Sequence, residues 1–290
     1  MSDVLVAGAS SQIGRFLLPQ LRERGYSVTA VSRRASVELP PVRCLQADIT
    51  HQRLEEAAIA ETVVSLAPLG VIVEALTHDH LPRIQRLVAF SSTGALTKRS
   101  STDPREQAAA ARLLEAEAAF RRQCDARSIA WTLFRPTMIY DGTNDKNVAL
   151  IARFISRFGI FPLVGEAAGR RQPVHAADLA RACCDVLTNT NTYNQTYNLG
   201  GGEVLSYRDM VTRIFLALSK SPRCVRIPPL LLRAALATAR IMPRYRYLNA
   251  AMADRMNQDM VFDLAAAARD FGYRPGPFRL DFGQDCPAGV

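Results

Sequence analysis

Between Val4 and Arg15 the chain reads V-L-V-A-G-A-S-S-Q-I-G-R, an apolar run that stops at Gly8, with a second glycine, Gly14, six residues on. A strand that turns at one glycine and opens a helix at another leaves backbone amides and the positive end of a helix dipole for an anion. A missing side chain at each glycine lets a pyrophosphate approach. Gly8, Ser10, Ser11, Gln12, Ile13 and Gly14 therefore form a candidate dinucleotide cradle. The middle glycine of the usual patterns is absent. Ser11 stands where G-x-x-G-x-x-G has it and Gln12 where G-x-x-x-G-x-G has it, so the motif alone also suits a strand-turn-helix that holds no ligand.

About 20 residues past such glycines an NAD site carries an acid for the ribose 2′-hydroxyl. Here the second strand ends in Ser32, Arg33 and Arg34. Guanidinium groups pair bidentately with phosphate, which favours NADP(H) over NAD(H). The competing reading is two solvent-facing arginines in an arginine-rich chain.

These residues need a scaffold, and the hydrophobic pattern supplies one. Strands are predicted at 4–7, 27–32, 43–47, 62–66, 86–91, 131–135 and 196–199, with helices near 13–24, 52–59, 70–77, 104–122 and 176–188. Alternation of this kind predicts a doubly wound parallel α/β sheet covered on both faces. Asp103, Pro104 and Glu106 mark the start of the helix at 104 with an N-cap, a first-turn proline and capping-box spacing. Pro19 predicts a bend in the first helix. Beyond Gly200, helices at 206–219 and 229–241 flank Pro228 and Pro229. The expected division is a dinucleotide-binding domain of residues 1–139 plus 172–200 and a smaller, mainly helical substrate lobe of 140–171 plus 201–290.

With these features together the chain resembles the short-chain dehydrogenase/reductase superfamily, in the extended and atypical branch that includes NAD-dependent epimerases and dehydratases. The resemblance spans nearly the whole chain. It rests on G-A-S-S-Q-I-G at 8–14, A-D-I at 47–49, S-L-A-P at 65–68, F-S-S-T at 90–93, R-P-T-M-I-Y at 135–140, Q-P-V-H-A-A-D-L-A at 172–180 and Y-N-L-G-G-G at 197–202. It implies a Rossmann fold in which Asp48 and Ile49 meet the adenine and Ser65, Leu66, Ala67 and Pro68 line the adenosine ribose. It further implies that Ser91, Pro136 and Thr137 lie beside the nicotinamide, and that Ser92 or Thr93 takes the place of the catalytic serine or threonine. Tyr140 and His175 would face the substrate cleft, near Asn144, Lys146 and Arg171. A packing role for His175, and strand-end capping by Ser91 and Ser92, are the alternatives.

The chain departs from this family at its acid/base. Relatives use a tyrosine with a lysine four residues on, whereas here the helix reads P-R-E-Q-A-A-A-A-R-L-L-E-A-E and no tyrosine lies between Tyr26 and Tyr140. Ala108 or Ala109 occupies the tyrosine position, with Arg112 or Leu113 for the lysine, and alanine cannot move a proton. One reading is an oxidoreductase or epimerase acting on a nucleotide sugar or ketone, with Tyr140, His175 or Lys98 as acid and Thr93 orienting the carbonyl. The other is a non-catalytic NADP(H)-binding accessory or sensor protein, as is an accessory subunit of respiratory complex I among similar atypical members.

Bulk properties narrow the partners. The net charge is +9, and 33 of the 36 basic residues are arginines, since Lys98, Lys146 and Lys220 are the lysines. They are dispersed without interleaved aromatics, which argues against nucleic acid. Six cysteines have no metal-ligand spacing, and His78 and His80 have no second cluster to complete a metal site, so no metal is expected. A strand starting at Val4 leaves no room for a leader, and no run is long enough to span a bilayer, which points to the cytoplasm. Arg233 and Arg240, seven apart in 229–241, predict a basic amphipathic face that either closes the substrate lobe or docks on a membrane or partner. A homodimer through helix 104–122 is common in the resembled family.

Overall fold

The computed structural model describes residues 3–33, 42–54, 60–81, 83–143, 145, 147–228, 254–280 and 282. Arg34, Asn144, Lys146, Cys286 and the segment 229–241 lie outside the described residues.

Runs of Val, Leu and Ala build the first strands because each is covered on both faces. β1 (Asp3–Ala7) is buried from its second residue on. Then follow α1 (Gly14–Glu23), β2 (Ser27–Ser32), β3 (Arg43–Gln46), β4 (Thr62–Ser65), α2 (Leu69–Thr77), β5 (Arg86–Phe90), α3 (Gly94–Thr97), α4 (Pro104–Ala126) and β6 (Ala130–Pro136). The later elements are β7 (Ile139–Tyr140), α5 (Val148–Phe158), β8 (Phe161–Val164), β9 (Arg170–Arg171), β10 (Val174–His175), α6 (Ala176–Val186), β11 (Gln195–Leu199), β12 (Leu205–Ser206), α7 (Tyr207–Ala217), β13 (Cys224–Ile227) and α8 (Ala265–Phe271).

Seven strands form one sheet in the order β11-β6-β5-β4-β1-β2-β3, and every pair in it is parallel. This is the doubly wound α/β architecture, with the strand order reversing between β1 and β4, where ligands of such sheets bind. One apolar cluster joins β1 and β2 to α1 and α6. A second, on the other face, joins Leu5, Val63 and Leu87 to α2 and α4. A third gathers Tyr140, α5, β8, α7, Met256, Phe278 and Phe282.

The expectations for 52–59 and for the Glu106 capping box are corrected. Residues 52–54 lie in no helix, and 55–59 fall outside the described residues. Asp103 caps α4, accepting from the Arg105 amide at 2.9 Å. Glu106 does not close a capping box: its carboxylate accepts from Ser101 Oγ at 2.7 Å and from the Arg255 guanidinium, a stronger donor than a backbone amide. Pro19 is accommodated within a single helical element, α1.

Candidate cofactor cradle and adjoining cleft

The turn from β1 into α1 shows why its glycines are glycines. Gly8 has φ +73°, and a Cβ there would sit 2.7 Å from the Ala67 amide nitrogen, because the ends of β1 and β4 approach closely at the strand-order reversal. A Cβ on Gly14 would lie 2.0 Å from the Ala9 carbonyl oxygen. Ser11, in place of the middle glycine, is part of the cap. Its hydroxyl accepts from the Gly14 amide at 3.2 Å, and its own amide donates to Gly8 O at 3.0 Å.

The next two residues remain open. Neither the Gln12 nor the Ile13 amide has a partner among the described residues. Gln12 Oε1 and Ser65 Oγ are buried side-chain atoms with no hydrogen bond. Open amides at a helix N-terminus and orphaned polar atoms beside the β1/β4 crevice fit a pyrophosphate-bearing dinucleotide. Around the crevice, Ser32 Oγ donates to Ser10 Oγ at 3.2 Å, and Arg33 is exposed at the end of β2, its carbonyl accepting from Gln46 Nε2. Asp48 accepts from the Thr50 hydroxyl and amide, which hold its carboxyl below the usual range, and Ile49 is buried beside it. Leu66 and Ala67 are half-buried, and Pro68 is the N-cap of α2.

The opposite wall, at the ends of β5 and β6, is made of hydroxyls that already have partners. Ser91 Oγ donates to Glu117 at 2.7 Å, and Thr93 Oγ1 donates to Pro136 O at 3.0 Å. Thr137 Oγ1 donates to Gln172 O. Thr93 thus has its single proton committed, which removes it as a donor to a substrate carbonyl in this conformation. Ser92 Oγ instead accepts from the Gly94 amide at 3.0 Å and keeps its proton. Glu117 was not foreseen. It is 2% exposed, bound by Arg135 and Ser91 and within 3.7 Å of Arg121. Burial opposes its ionisation, but the bonds from Arg135 and Ser91 outweigh this and hold its carboxyl below the usual range. An acid in register with Ala110, Phe120 and Cys124 on the buried face of α4, as Glu106 also is, is the signal that could have revealed it.

A cavity of about 380 Å³ lies beyond the cradle, lined by Tyr140, Asp141, Gly142, His175, Arg279 and Leu280. Arg15, the residue after Gly14, donates to Thr143 Oγ1 at 3.2 Å and lies 3.7 Å from the Asp141 carboxylate, so cradle and cavity share a wall. Tyr140 is 2% exposed, edge-on to His175 and Phe278, with its oxygen accepting from the Arg279 amide. Burial raises its phenol to about 12, so it keeps its proton at neutral pH. His175 is the N-cap of α6. Its Nδ1 accepts from the Ala177 amide at 3.2 Å, so the neutral ring carries its proton on Nε2. Burial lowers its pKa.

Arg171 is not a cleft residue. It is 3% exposed, and its guanidinium is consumed by the carbonyls of Arg170, Gln258 and Arg255. Lys98 is half-buried just past α3, while Ala108 and Arg112 are exposed and Ala109 and Leu113 half-buried on α4.

Comparison with known proteins follows this geometry. A profile of the family described as NAD(P)H-binding matches residues 8–190. The chain is 25% identical over 252 residues to the mitochondrial NADH dehydrogenase (ubiquinone) 1 alpha subcomplex subunit 9 of Arabidopsis thaliana, covering 77% of this chain and 60% of that protein. It is 24% identical over 275 residues to the chloroplastic divinyl chlorophyllide a 8-vinyl-reductase of Oryza sativa subsp. indica, covering 83% and 66%. The chain thus spans less than two thirds of the first relative's length and about two thirds of the second's. In fold it is similar to the UDP-glucose 4-epimerase of Thermotoga maritima in complex with UDP-glucose, with a TM-score of 0.69, 15% identity, and coverage of 94% of this chain and 93% of that one. With more than half of its length matched, the chain belongs to the NAD(P)H-binding family and has the Rossmann fold of oxidoreductases and epimerases.

Proposed function

We propose that the protein is an NADP(H)-binding oxidoreductase of epimerase-like fold that acts on a small carbonyl or hydroxyl compound, a nucleotide sugar or a ketone, without the Tyr/Lys pair of its relatives. The observation that carries this reading is the shared wall. Arg15 follows the cradle's Gly14 and reaches Thr143 and the cavity-lining Asp141, which supports a cleft of substrate size beside the dinucleotide site. In this reading the Gln12 and Ile13 amides receive the pyrophosphate, and Ser32 and Arg33, with Arg34, receive a 2′-phosphate. Asp48, Ile49 and the run Ser65–Pro68 border the adenosine, while Pro136 and Thr137 border the nicotinamide. Bound NADP(H) supplies the hydride.

The protein's own part is to hold the substrate oxygen and its proton. His175 presents an Nε2–H beside the cavity, fixed in that tautomer by its cap and kept neutral by burial, and Ser92 retains a hydroxyl proton. Neutral donors of this kind polarise a carbonyl without a phenolate. The lobe division of 1–139 plus 172–200 against 140–171 plus 201–290 is part of the same reading, supported by the third apolar cluster.

A second reading has its own support: three of the four hydroxyls at 91–93 and 137 donate to protein groups, and α4 offers alanines at 108 and 109. It makes the chain a non-catalytic NADP(H) holder. Calorimetry with NADPH and NADH, followed by absorbance of the reduced nicotinamide with ketones and nucleotide sugars, separates the two. Tighter NADPH binding with turnover that falls in His175→Ala is expected. Tight binding with no oxidation of NADPH by any of them would favour the holder, and equal affinities would remove the NADP preference.

A further inference from the structure

Of five large apolar side chains that stand exposed among the described residues, four belong to one corner of the molecule: Phe158 at 55%, Ile160 at 41%, Leu216 at 60% and Val225 at 44%. Phe158 ends α5 and Ile160 leads into β8. The Phe161 amide donates to Arg223 O at 3.0 Å, and β8 then pairs with β13, placing Pro162 beside Val225. Lys220, just past α7, donates to Ser156 O at 2.9 Å and Ile155 O at 3.4 Å, which ties the end of α7, and with it Leu216, to the last turn of α5. The corner is thus a single assembly of two helix ends and two strands.

The stretches that build it are rich in cations. No acid occurs in residues 147–165 or 210–228, where the cations are Arg153, Arg157, Arg213, Lys220, Arg223 and Arg226, of which Arg213 pairs with Glu203 and Arg226 with Glu166. Arg157 and Arg223 are exposed at the corner, Arg157 lying 5.6 Å from the centre of the Phe158 ring. The first acid beyond, Glu166, is bonded by Arg208 and Arg226. From β13 the chain runs directly into P-L-L-L-R-A-A-L-A-T-A-R-I-M-P-R-Y-R-Y, which repeats the composition of the corner: apolar, arginine-bearing and free of acid.

We propose that this corner docks the protein peripherally on an anionic phospholipid surface. Exposed Phe, Ile, Leu and Val side chains suit the boundary between headgroups and acyl chains, where apolar area is removed from water, while Arg157 and Arg223 meet the lipid phosphates. A nucleic acid would satisfy the arginines and leave these four aliphatic and aromatic groups without a partner. A surface with Arg157, Lys220 and Arg223 beside it and one acid, Glu166, already paired with arginines, also fits a sheet of like anionic charge better than a protein surface of mixed sign. No helix among the described residues is long and apolar enough to cross a membrane, so the contact is peripheral.

The test uses the full chain, sedimented with vesicles of equal parts phosphatidylglycerol and phosphatidylcholine and with vesicles of phosphatidylcholine alone. Binding to the anionic vesicles, weakened by salt, is expected, with each cation removed lowering affinity by about fivefold. Phe158→Ser with Ile160→Ser, and separately Arg157→Gln with Arg223→Gln, should each weaken binding by about tenfold or more while melting curves stay unchanged, since these side chains are exposed. Three results overturn the proposal: no preference for anionic vesicles, undiminished binding by both double variants, or a dimer in light scattering that the Phe158/Ile160 variant abolishes in a protein that ignores vesicles.

Discussion

The two walls of the cofactor crevice are built on opposite principles. On the β1–α1 side, polar groups are left open: the Gln12 and Ile13 amides and Gln12 Oε1 have no partner among the described residues. On the β5–β6 side, Ser91 donates to Glu117, Thr93 to Pro136 and Thr137 to Gln172. Buried polar groups are normally satisfied, so in the proposed reading the open wall takes the ligand and the closed wall adds rigidity. Of the hydroxyls at 91–93 and 137, that of Ser92 donates to nothing among the described residues, and at the cavity the Tyr140 phenol and the His175 ring also keep a proton.

The closed wall should fail as structure. Glu117 is nearly fully buried between Arg135, Arg121 and Ser91, and removing one partner of a buried ion pair leaves the other charge uncompensated. Glu117→Leu is expected to cost about 4 kcal/mol of stability in urea unfolding. A variant of unchanged stability that nevertheless loses turnover would make Glu117 part of the chemistry and undo the contrast. The open wall should fail in binding as well as fold. In Gly14→Ala the new methyl meets the Ala9 carbonyl at 2.0 Å, a backbone atom that can yield only by moving the turn. A loss of about 3 kcal/mol is expected, together with loss of measurable NADPH binding by calorimetry. Retained nucleotide affinity in that variant would place the ligand elsewhere. A smaller effect belongs to Arg33, exposed at the end of β2. Arg33→Ala should weaken NADPH by about 2 kcal/mol, the scale of a charged hydrogen bond, and leave NADH unchanged. An equal effect on both nucleotides would assign Arg33 to general electrostatics.

The alternating strands and helices were legible because buried parallel strands write themselves as short apolar runs; all seven strands of the main sheet fall where strands are expected, although the edge strand β3, R-C-L-Q, is largely exposed. What escaped was written in partners distant along the chain. α5, V-A-L-I-A-R-F-I-S-R-F, is the exception: Val148, Ile151, Ala152 and Ile155 recur at helical spacing on its buried face, but no side chain caps its start. β7, β9, β10 and β12 are two residues long, too short for any period, and exist through pairings such as His175 with Tyr140 and Leu205 with Arg171. In the site, the glycine turn could be read locally. The commitment of Thr93 to Pro136 and the capture of Glu106 by Arg255 could not, because each depends on a residue more than 40 positions away.

The smallest effect concerns His175, which spans both principles: one nitrogen is closed on the fold and the other remains for the cleft. Its cap on α6 is worth about 1 kcal/mol, which His175→Ala should forfeit. Because burial lowers its pKa in the folded state, the unfolded chain takes up the proton first as pH falls. The contribution is therefore fully present above the ordinary histidine range and is lost as pH falls through it toward the folded value. Asn is also a good cap and does not titrate, so His175→Asn should retain stability near neutrality and lose this part of the acid limb. It should also lose turnover if Nε2–H holds the substrate oxygen. An Asn variant with an unchanged acid limb and unchanged turnover would return His175 to packing alone and leave the Tyr140 phenol and the Ser92 hydroxyl as the remaining donors.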